Sequence, residues 1–281
     1  MSRNNGTRTL FLLPGLMGFA LFFIGPFFLS LTYAFLDKPA GHFVGTENFA
    51  ALFHSKAFLR GLVNTIRFIG ISVPVNMAGS LGIALLISGT TATRRRLYTL
   101  LFLIPLVIPS GSMAFFWKSF FSLNGVLNGV LHTAGLDKIN WLDSNRAFAV
   151  MIMIFIWKNI GYNTVLYLAG LGNIPRDHYE AADIDGASPL RRFLHITIPC
   201  LMPVSVVVFI MSISNSFKIF REIYLITGGY PHESVYTLQH FMNNMFLSLN
   251  YPRLTAATSI LVIIIAAMTQ FLLYRERKVT L

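Results

Sequence analysis

The sequence predicts an all-α integral membrane protein with six transmembrane helices, and three observations support this fold class. Of its 281 residues, 54% are hydrophobic and 12% are charged, whereas soluble domains carry about 25% charged residues; the mean hydropathy is +0.63. Six apolar runs are long enough to cross a membrane, which needs about 20 helical residues. The runs lack the apolar-polar alternation of membrane barrel strands, so their backbone hydrogen bonds are expected within helices.

The six expected spans follow one another with short connections and form a single transmembrane domain over residues 1–281. The first run has a basic start, but it is longer than the core of a signal peptide and no small-residue cleavage site follows it, so we interpret it as a span. Prolines and glycines occur within the runs, as membrane helices tolerate. In chain order, the spans are expected at about 10–36, 62–88, 98–117, 147–171, 201–226 and 255–274.

The distribution of basic residues predicts the orientation of the chain in the membrane. Six spans put both termini on one side, which makes the inner segments 1–9, 89–97, 172–200 and 275–281. These segments hold eleven Lys and Arg residues, against seven in the longer outer loops, and the denser side is cytoplasmic. The basic residues that give the net charge of +11 are therefore interpreted as orientation signals. In a soluble protein such a charge would suggest a nucleic-acid partner, but none is expected here.

The chain shows no sign of a disulfide, a metal site or nucleotide hydrolysis. Cys200 is the only cysteine, and no Cys or His lies near it at the spacing of metal ligands, so we expect neither a disulfide, a metal nor a cofactor. The sequence also lacks the Gly-x-x-x-x-Gly-Lys-[Ser/Thr] phosphate loop. We therefore expect no catalytic residues and no ATP hydrolysis by that route.

The longest inner segment, 172–200, carries more order than a connection needs. Pro175 suits the first turn of a helix, and acidic residues follow near the positive end of the helix dipole. A short helix is therefore expected from about Pro175 to Asp185. Gly186 suits the left-handed cap that ends such a helix.

A second helix is expected directly after this turn. Ser188 and Pro189 form an N-cap and a first-turn proline, and the helix is predicted to end before Pro199. An amphipathic element at the membrane surface needs a partner protein or the lipid interface as its cover. A basic protein surface is the better cover, because four acidic residues would face an anionic membrane: Asp177, Glu180, Asp183 and Asp185.

A motif of ten residues lies within and just after this helix-turn-helix. It consists of Glu180, Ala181, Ala182, Asp185, Gly186 and Ala187, followed by Phe193, Ile196, Pro199 and Pro203. This motif resembles the EAA loop of permease subunits in binding-protein-dependent ABC importers. Its Asp-Gly-Ala form is similar to the carbohydrate branch of that family, the maltose-type and glycerol-phosphate-type permeases. Further similar positions extend over most of the chain, from 43–49 to 227–229.

The resemblance implies a type I ABC importer permease fold in which 172–200 is a coupling loop between spans four and five. By this resemblance the loop docks on a cytoplasmic ABC ATPase dimer, Glu180 pairs with a basic residue of that ATPase, and Gly186 permits the turn. The resemblance also implies a second six-span permease subunit, an extracellular or periplasmic solute-binding protein and a sugar as substrate.

Polar side chains share one face of span four and one face of span five near the middle of the membrane. Asn159 lies about 18 Å along span four, close to the midplane, where transporter sites are usually found. Amides, hydroxyls and aromatic rings match a sugar, so we predict a substrate pathway; the alternative is that these residues join helices through polar contacts. The predicted pathway residues are Phe155, Asn159, Tyr162, Ser212, Asn215 and Ser216.

Three ionisable residues, Lys218, Arg221 and Glu222, lie further out on span five and are predicted to line the outer mouth of the pathway. Residues of this kind inside a membrane are by default functional or paired. Either they contact a charged substrate or the extracellular binding protein, or Lys218 and Glu222 neutralise each other as a structural pair. Arg67 and Lys158 either extend toward the interface or line the cavity, and neither is assigned a role.

The sequence thus predicts a permease subunit that moves a sugar or oligosaccharide across a bacterial or archaeal cytoplasmic membrane by alternating access, driven by a separate ATPase. The nearest alternative is an ABC permease for a sugar phosphate, polyol or peptide. An ion-driven secondary transporter and a membrane scaffold that does not transport are alternatives from other classes.

Overall fold

The computed structural model describes residues 5–38 and 41–280, and these form helices and connecting turns with one isolated bridge, between Leu36 and Phe43. The predicted cytoplasmic termini include residues 1–4 and residue 281, which lie outside the described residues. In chain order the α-helices are α1 Asn5–Phe19, α2 Gly25–Tyr33, α3 Glu47–Phe53, α4 Lys56–Ser88, α5 Ala92–Val107, α6 Ser110–Phe121, α7 Val126–Thr133, α8 Ala147–Gly172, α9 Arg176–Ile184, α10 Pro189–Arg192, α11 Ile198–Cys200, α12 Met202–Thr227, α13 Leu238–Leu247 and α14 Tyr251–Thr280.

Five helical segments in the described ranges are long and apolar enough to cross a membrane. A sixth is added if α5 and the bent segment that follows it, which ends at Thr133, count together as one span. The first segment, Leu12–Tyr33, joins α1 to α2 through a π-helical turn at Ala20–Ile24. The other four segments lie on α4, α8, α12 and α14, at the runs predicted for spans two, four, five and six. The all-α membrane fold class is confirmed.

The third run, predicted at 98–117, is broken in the structure rather than continuous. The segments Ala92–Val107 and Ser110–Thr133 meet at an angle of 91°. Between them Ile108 has an extended backbone, with φ −67° and ψ 126°. The ring of Pro109 clashes with an α-helical conformation of the residue before it, so the helix ends there and a new helix starts at Ser110.

The described residues pack as two compact units. One unit comprises the described residues of 1–59 and 241–266. Within it, Phe58 is fully buried and packs edge to face against Phe53 and Phe241, with ring centroids 5.9 Å and 5.5 Å away. These ring contacts join α3, α4 and α13 within the first unit.

The other unit comprises the described residues of 60–240 and 267–281, and it contains every predicted site residue. Its core lies where α6, α8 and α12 meet, with buried side chains from all three helices: Met113, Trp117, Ile154, Phe155, Ile219 and Ile223. Gly161 lets α8 approach α5 closely, because a Cβ at this position would collide with the carbonyl oxygen of Phe102. Spans four and five also lie side by side, because α8 and α12 share this core.

Candidate functional site

An ion pair between Lys158 of α8 and Glu222 of α12 lies at the contact of spans four and five. The Lys158 side chain is 20% exposed and the Glu222 side chain 2%. Ser110, the first residue after the break in span three, donates a hydrogen bond of 2.8 Å to Oε1 of Glu222. The pair therefore connects three consecutive spans through their polar groups.

One interpretation of the sequence paired Glu222 with Lys218. In the structure Glu222 pairs with Lys158 instead. Lys218 is exposed and donates a hydrogen bond of 3.0 Å to Oδ1 of Asn215. Glu222 instead enters the packed contact with α8, where a buried carboxylate needs an opposite charge and hydrogen-bond donors around it. Lys158 supplies the charge and Ser110 a further donor. The four-residue spacing between Lys218 and Glu222 therefore did not decide which lysine pairs with Glu222.

A cavity of about 120 Å³, called the midspan cavity below, lies beside this ion pair. It is lined by Leu106, Phe155, Lys158, Asn159, Asn215, Lys218, Ile219 and Glu222. The structure thus brings together three of the predicted pathway residues and two of the predicted mouth residues, from spans four and five, around one small cavity with polar and apolar walls.

The two asparagine amides in this cavity leave complementary groups for a ligand. Nδ2 of Asn159 donates 2.9 Å to the carbonyl oxygen of Phe155, which leaves Oδ1 as an acceptor. Oδ1 of Asn215 accepts from Lys218, which leaves the two N–H groups of its amide as donors. The cavity therefore offers one neutral acceptor, neutral donors and an ammonium group.

Four other predicted residues are not among the described residues that line the midspan cavity: Tyr162, Ser212, Ser216 and Arg221. Ser216 is buried and donates 2.6 Å to the carbonyl oxygen of Ile213 within its own helix. That contact stays within α12, so the Ser216 hydroxyl neither lines the cavity nor joins two helices.

Asn163, which the sequence pattern did not single out, makes a second direct polar contact between spans four and five. Its Nδ2 donates 2.9 Å to Oγ of Ser212, and both residues are fully buried. Asn163 is one helical turn after Asn159, on the same face of α8. The four-residue spacing was therefore a signal that a search of this face would have found.

A buried polar stripe on α4 was also missed. Ser72, Asn76 and Ser80 are each fully buried and lie four residues apart. Oγ of Ser80 donates 2.6 Å to the carbonyl oxygen of Asn76 in its own helix and lies 3.1 Å from that of Ile160 on α8, so this stripe faces span four. Neither polar atom of the Asn76 amide has a hydrogen-bond partner within the described residues.

The turn of the coupling loop is closed by a Schellman motif, the two-bond arrangement that commonly ends a helix. The amide of Ala187 donates 2.9 Å to the carbonyl oxygen of Ala182, and the amide of Gly186 donates 3.1 Å to that of Asp183. Gly186 has φ +69°, the left-handed conformation that glycine adopts without a steric penalty. This backbone conformation explains the glycine at position 186. It brings the amide of Ala187 to the carbonyl oxygen of Ala182 across the turn.

The second half of the loop is less regular than the single helix that was predicted. Ser188 caps α10, and its Oγ accepts a bond of 3.4 Å from the amide of Arg191. A π-helical turn, Phe193–Thr197, and α11 then lead to span five. The predicted stop before Pro199 is wrong, because Pro199 occupies the first turn of α11, where its missing N–H is not needed.

Two contacts brace the coupling loop internally. Asp183 forms an ion pair with Arg192 across the turn, and the hydroxyls of Tyr179 and Thr197 are 2.9 Å apart. Glu180 is exposed and has no ion-pair partner within the part of the chain that the structure describes. The acid of the EAA motif is therefore available to a group outside this chain.

Residues 39–280 match the family described as the binding-protein-dependent transport system inner membrane component. The chain belongs to this family. The resemblance indicated by the EAA motif is confirmed, and the protein is a transmembrane permease component of an ABC importer rather than an enzyme.

Curated relatives cover most of this permease. The lactose transport system permease protein LacF of Rhizobium radiobacter is 31% identical over 280 residues, which are 96% of this chain and 94% of the relative. The sulfoquinovosyl glycerol transport system permease protein SmoG of Agrobacterium fabrum is 37% identical over 230 residues, 80% of this chain and 73% of the relative.

The fold of this permease is also found in a solved transporter. A chain in the crystal structure of the bacterial alginate ABC transporter, in complex with an alginate pentasaccharide-bound periplasmic protein, has a TM-score of 0.85 at 23% identity, over 99% of this chain and 96% of that chain. At this identity the likeness establishes the type I permease fold alone.

Proposed function

We propose that this permease carries a sugar or oligosaccharide across the cytoplasmic membrane by alternating access, with ATP hydrolysed by a separate cytoplasmic ABC ATPase dimer. The observation that carries the proposal is that α8 and α12, which line the midspan cavity, are the two helices that the coupling loop joins. A displacement of that loop would move both walls of the cavity at once.

The coupling step depends on the stiffness of the loop. The Schellman turn, the Asp183–Arg192 ion pair and the contact between Tyr179 and Thr197 hold α9 against the segment that continues into span five. A push on α9 is therefore passed on to the spans instead of being absorbed in the turn. In this mechanism Glu180 pairs with a basic residue of the ATPase, and Ala181, Ala182, Asp185, Gly186 and Ala187 shape the docking surface.

Sugar binding rests on the polar groups of the pathway. The free acceptor of Asn159 and the free donors of Asn215 match the hydroxyl groups of a saccharide, since each hydroxyl both donates and accepts. Transporter sites lie near the bilayer midplane, and the relatives named above belong to transport systems for lactose and for sulfoquinovosyl glycerol. Tyr162, Ser212 and Ser216 remain part of the proposed pathway outside the cavity.

Family membership supports the remaining partners, and the distribution of basic residues supports the orientation. In this proposal a solute-binding protein delivers the sugar from the outer side, extracellular or periplasmic, and a second six-span permease completes the pathway. Both termini and the coupling loop then lie in the cytoplasm, on the side where basic residues are denser.

The proposal is tested by purifying a tagged copy of the chain from its native membrane in mild detergent and identifying the co-purifying subunits by mass spectrometry. We expect an ABC ATPase and a second permease. The complex is then reconstituted in proteoliposomes and supplied with the binding protein. It should take up the sugar that the binding protein binds, and only when ATP is present on the side of the membrane where the ATPase lies.

Variants then test the pathway. Asn159→Leu and Asn215→Leu should lower uptake at equal expression, whereas Asn124→Leu, in an exposed outer turn, should not. Uptake by the chain alone without ATP would establish an ion-driven transporter instead. Uptake at the wild-type rate by both cavity variants would remove the midspan cavity from the pathway.

A further inference from the structure

The charges within the predicted spans do not balance. Glu222 is the only acidic residue in the six predicted spans, whereas four basic residues lie there: Arg67, Lys158, Lys218 and Arg221. An ionisable side chain at membrane depth is costly unless it is paired or faces a water-filled path. A cation that has no partner within the chain therefore indicates where the substrate pathway could receive an anion from outside the chain.

Two of the four cations have partners in the structure. Lys158 takes the single carboxylate, Glu222. The guanidinium of Arg67 lies over the ring of Phe148, with Cζ 4.6 Å from the ring centroid, a cation-π contact that stabilises a charge without an anion. These two residues are therefore accounted for within the chain.

Lys218 and Arg221 form no ion pair within the described residues, and of these two exposed cations only Lys218 lines the midspan cavity. The Lys218 ammonium donates to the neutral amide of Asn215. The residue lies about 24 Å along α12, since that helix begins at Met202 and rises about 1.5 Å per residue. Its position is thus in the outer half of the span, on the wall of the midspan cavity.

The cavity consequently carries two ammonium groups and one carboxylate. The Lys158–Glu222 pair cancels internally, which leaves one positive charge at Lys218. The donors of the Asn215 amide lie beside it, because the same amide holds the ammonium through Oδ1. An ammonium beside amide N–H groups is the arrangement that binds an oxyanion through charge-assisted hydrogen bonds. The Asn159 acceptor on the opposite helix remains suited to a hydroxyl.

We propose that the solute carried by this permease bears an anionic group, a carboxylate, sulfonate or phosphate on a hydroxylated skeleton, and that Lys218 contacts this group during passage. The proposal rests on the proposed function, because it assigns the substrate class of the same pathway. Lys218 is then a specificity-determining residue, and the Lys158–Glu222 pair keeps the second lysine from competing for the anion.

The first test is the ligand preference of the binding protein that co-purifies with the tagged chain. Calorimetry would compare galacturonate, glucose 6-phosphate and digalacturonate with galactose, glucose and galactobiose as neutral counterparts. We expect binding of at least one acidic ligand and rejection of its neutral counterpart. A binding protein that takes only neutral sugars, followed by their ATP-driven uptake, would overturn this inference and leave the proposed function intact; absence of any ATP-driven uptake would instead count against the proposed function.

The second test measures uptake of the accepted acidic ligand by the whole reconstituted complex at saturating liganded binding protein. Lys218→Gln should lower the uptake rate about tenfold or more, as expected for the loss of a hydrogen bond to a charged group, and Lys218→Arg should restore most of it. Lys138→Gln is the matched control, because Lys138 also donates to an asparagine, Asn124 at 2.9 Å, but is exposed outside the midspan cavity.

The affinity of the binding protein for the ligand is unaffected by variants of this chain, so a change in uptake reports on the permease alone. Wild-type uptake of the acidic ligand by Lys218→Gln would show that Lys218 does not contact the anion. Equal losses in Lys218→Gln and Lys218→Arg would show that the lysine serves packing rather than an anion, and this result would also overturn the inference.

Discussion

Glu222 illustrates how one residue determines the electrostatics of the permease. Its carboxylate is almost fully buried and accepts from Lys158 and Ser110, which belong to two other spans. A buried pair adds little stability over an apolar one, but loss of a single partner leaves an uncompensated charge and costs about 3 to 5 kcal/mol. The pair is therefore sensitive to single substitutions and tolerant of an exchange.

We predict that Glu222→Gln and Lys158→Met each destabilise the purified chain by about 3 kcal/mol or more, and that the exchange Lys158→Glu with Glu222→Lys recovers part of this loss. Thermal unfolding in detergent measures the effect. The control is Glu233→Gln, which breaks an exposed ion pair with Arg60 and should cost less than about 1 kcal/mol. Equal effects at the two pairs would contradict the prediction.

His240 is a second residue whose burial has a measurable consequence. It is fully buried, Nδ1 accepts from the amide of Thr237 at 3.2 Å, and the ring of Phe220 lies 4.8 Å away. Burial lowers the pKa of His240 from 6.5 to about 4, because the charged imidazolium cannot be hydrated there. The folded chain therefore holds this ring neutral at pH values where the unfolded chain protonates it.

The stabilising contribution of neutral His240 is fully present above about pH 6.5 and is lost as the pH falls from 6.5 toward 4, by about 3 kcal/mol in total. We predict that His240→Asn, which retains an acceptor near Nδ1 but does not titrate, shows a shallower fall of the unfolding temperature over this range. His132→Asn, at an exposed position of α7, should follow the wild-type curve. Parallel curves for all three proteins would rule out this role of His240.

At the scale of elements, the coupling loop combines a locally specified turn with an exposed acid. The Schellman bonds join residues at most five positions apart, so the turn forms from its own sequence. Of the acids on α9, Asp183 is engaged with Arg192, whereas Asp177 and Glu180 are exposed, and of these two only Glu180 belongs to the motif. The loop therefore presents a braced scaffold with the acid of the motif exposed.

We predict that Glu180→Lys reduces ATP-driven uptake by the reconstituted complex at least about tenfold, because a like charge facing a basic pocket costs several kcal/mol, without loss of membrane insertion. Asp137→Lys is the control, since it reverses an exposed acid outside the coupling loop. Full uptake by Glu180→Lys at equal expression would remove Glu180 from the coupling contact.

The break between α5 and α6 is the element that sequence analysis described least well. The apolar run at 98–117 is long enough for one span, and Pro105 within α5 does not interrupt that helix. Pro109 does, because Ile108 adopts an extended conformation before it. Two prolines with the same intrinsic geometry thus have different effects, so the presence of a proline does not by itself predict which of them ends a helix.

On the scale of the whole molecule, the orientation in the membrane remains a prediction from the basic residues, and the single native cysteine provides its test. Cys200 is exposed and lies at the predicted cytoplasmic end of span five. A membrane-impermeant maleimide should label it in inside-out vesicles and not in intact cells or spheroplasts. In a Cys200→Ser background, Lys138→Cys should show the opposite pattern, and a reversal of both results would invert the orientation.

Sequence determined the features of this permease that depend on short stretches of chain. Hydropathy over about 20 residues located the spans, turn chemistry located the helix-turn-helix of the coupling loop, and the motif from Glu180 to Ala187 indicated the family. These features form from neighbouring residues, so their pattern is visible without a structure. The amide groups Asn159 and Asn215 were found for the same reason, as polar positions on apolar helix faces.

The tertiary structure decided which distant groups meet. Lys158 and Glu222 are 64 positions apart and Asn163 and Ser212 are 49 apart, and no local period relates them. Their contacts depend on the close approach of α8 to its neighbours. Only this packing assigned the single intramembrane carboxylate to Lys158 and left Lys218 facing the cavity, because a buried charge is stabilised by what surrounds it in space and not by its neighbours along the chain.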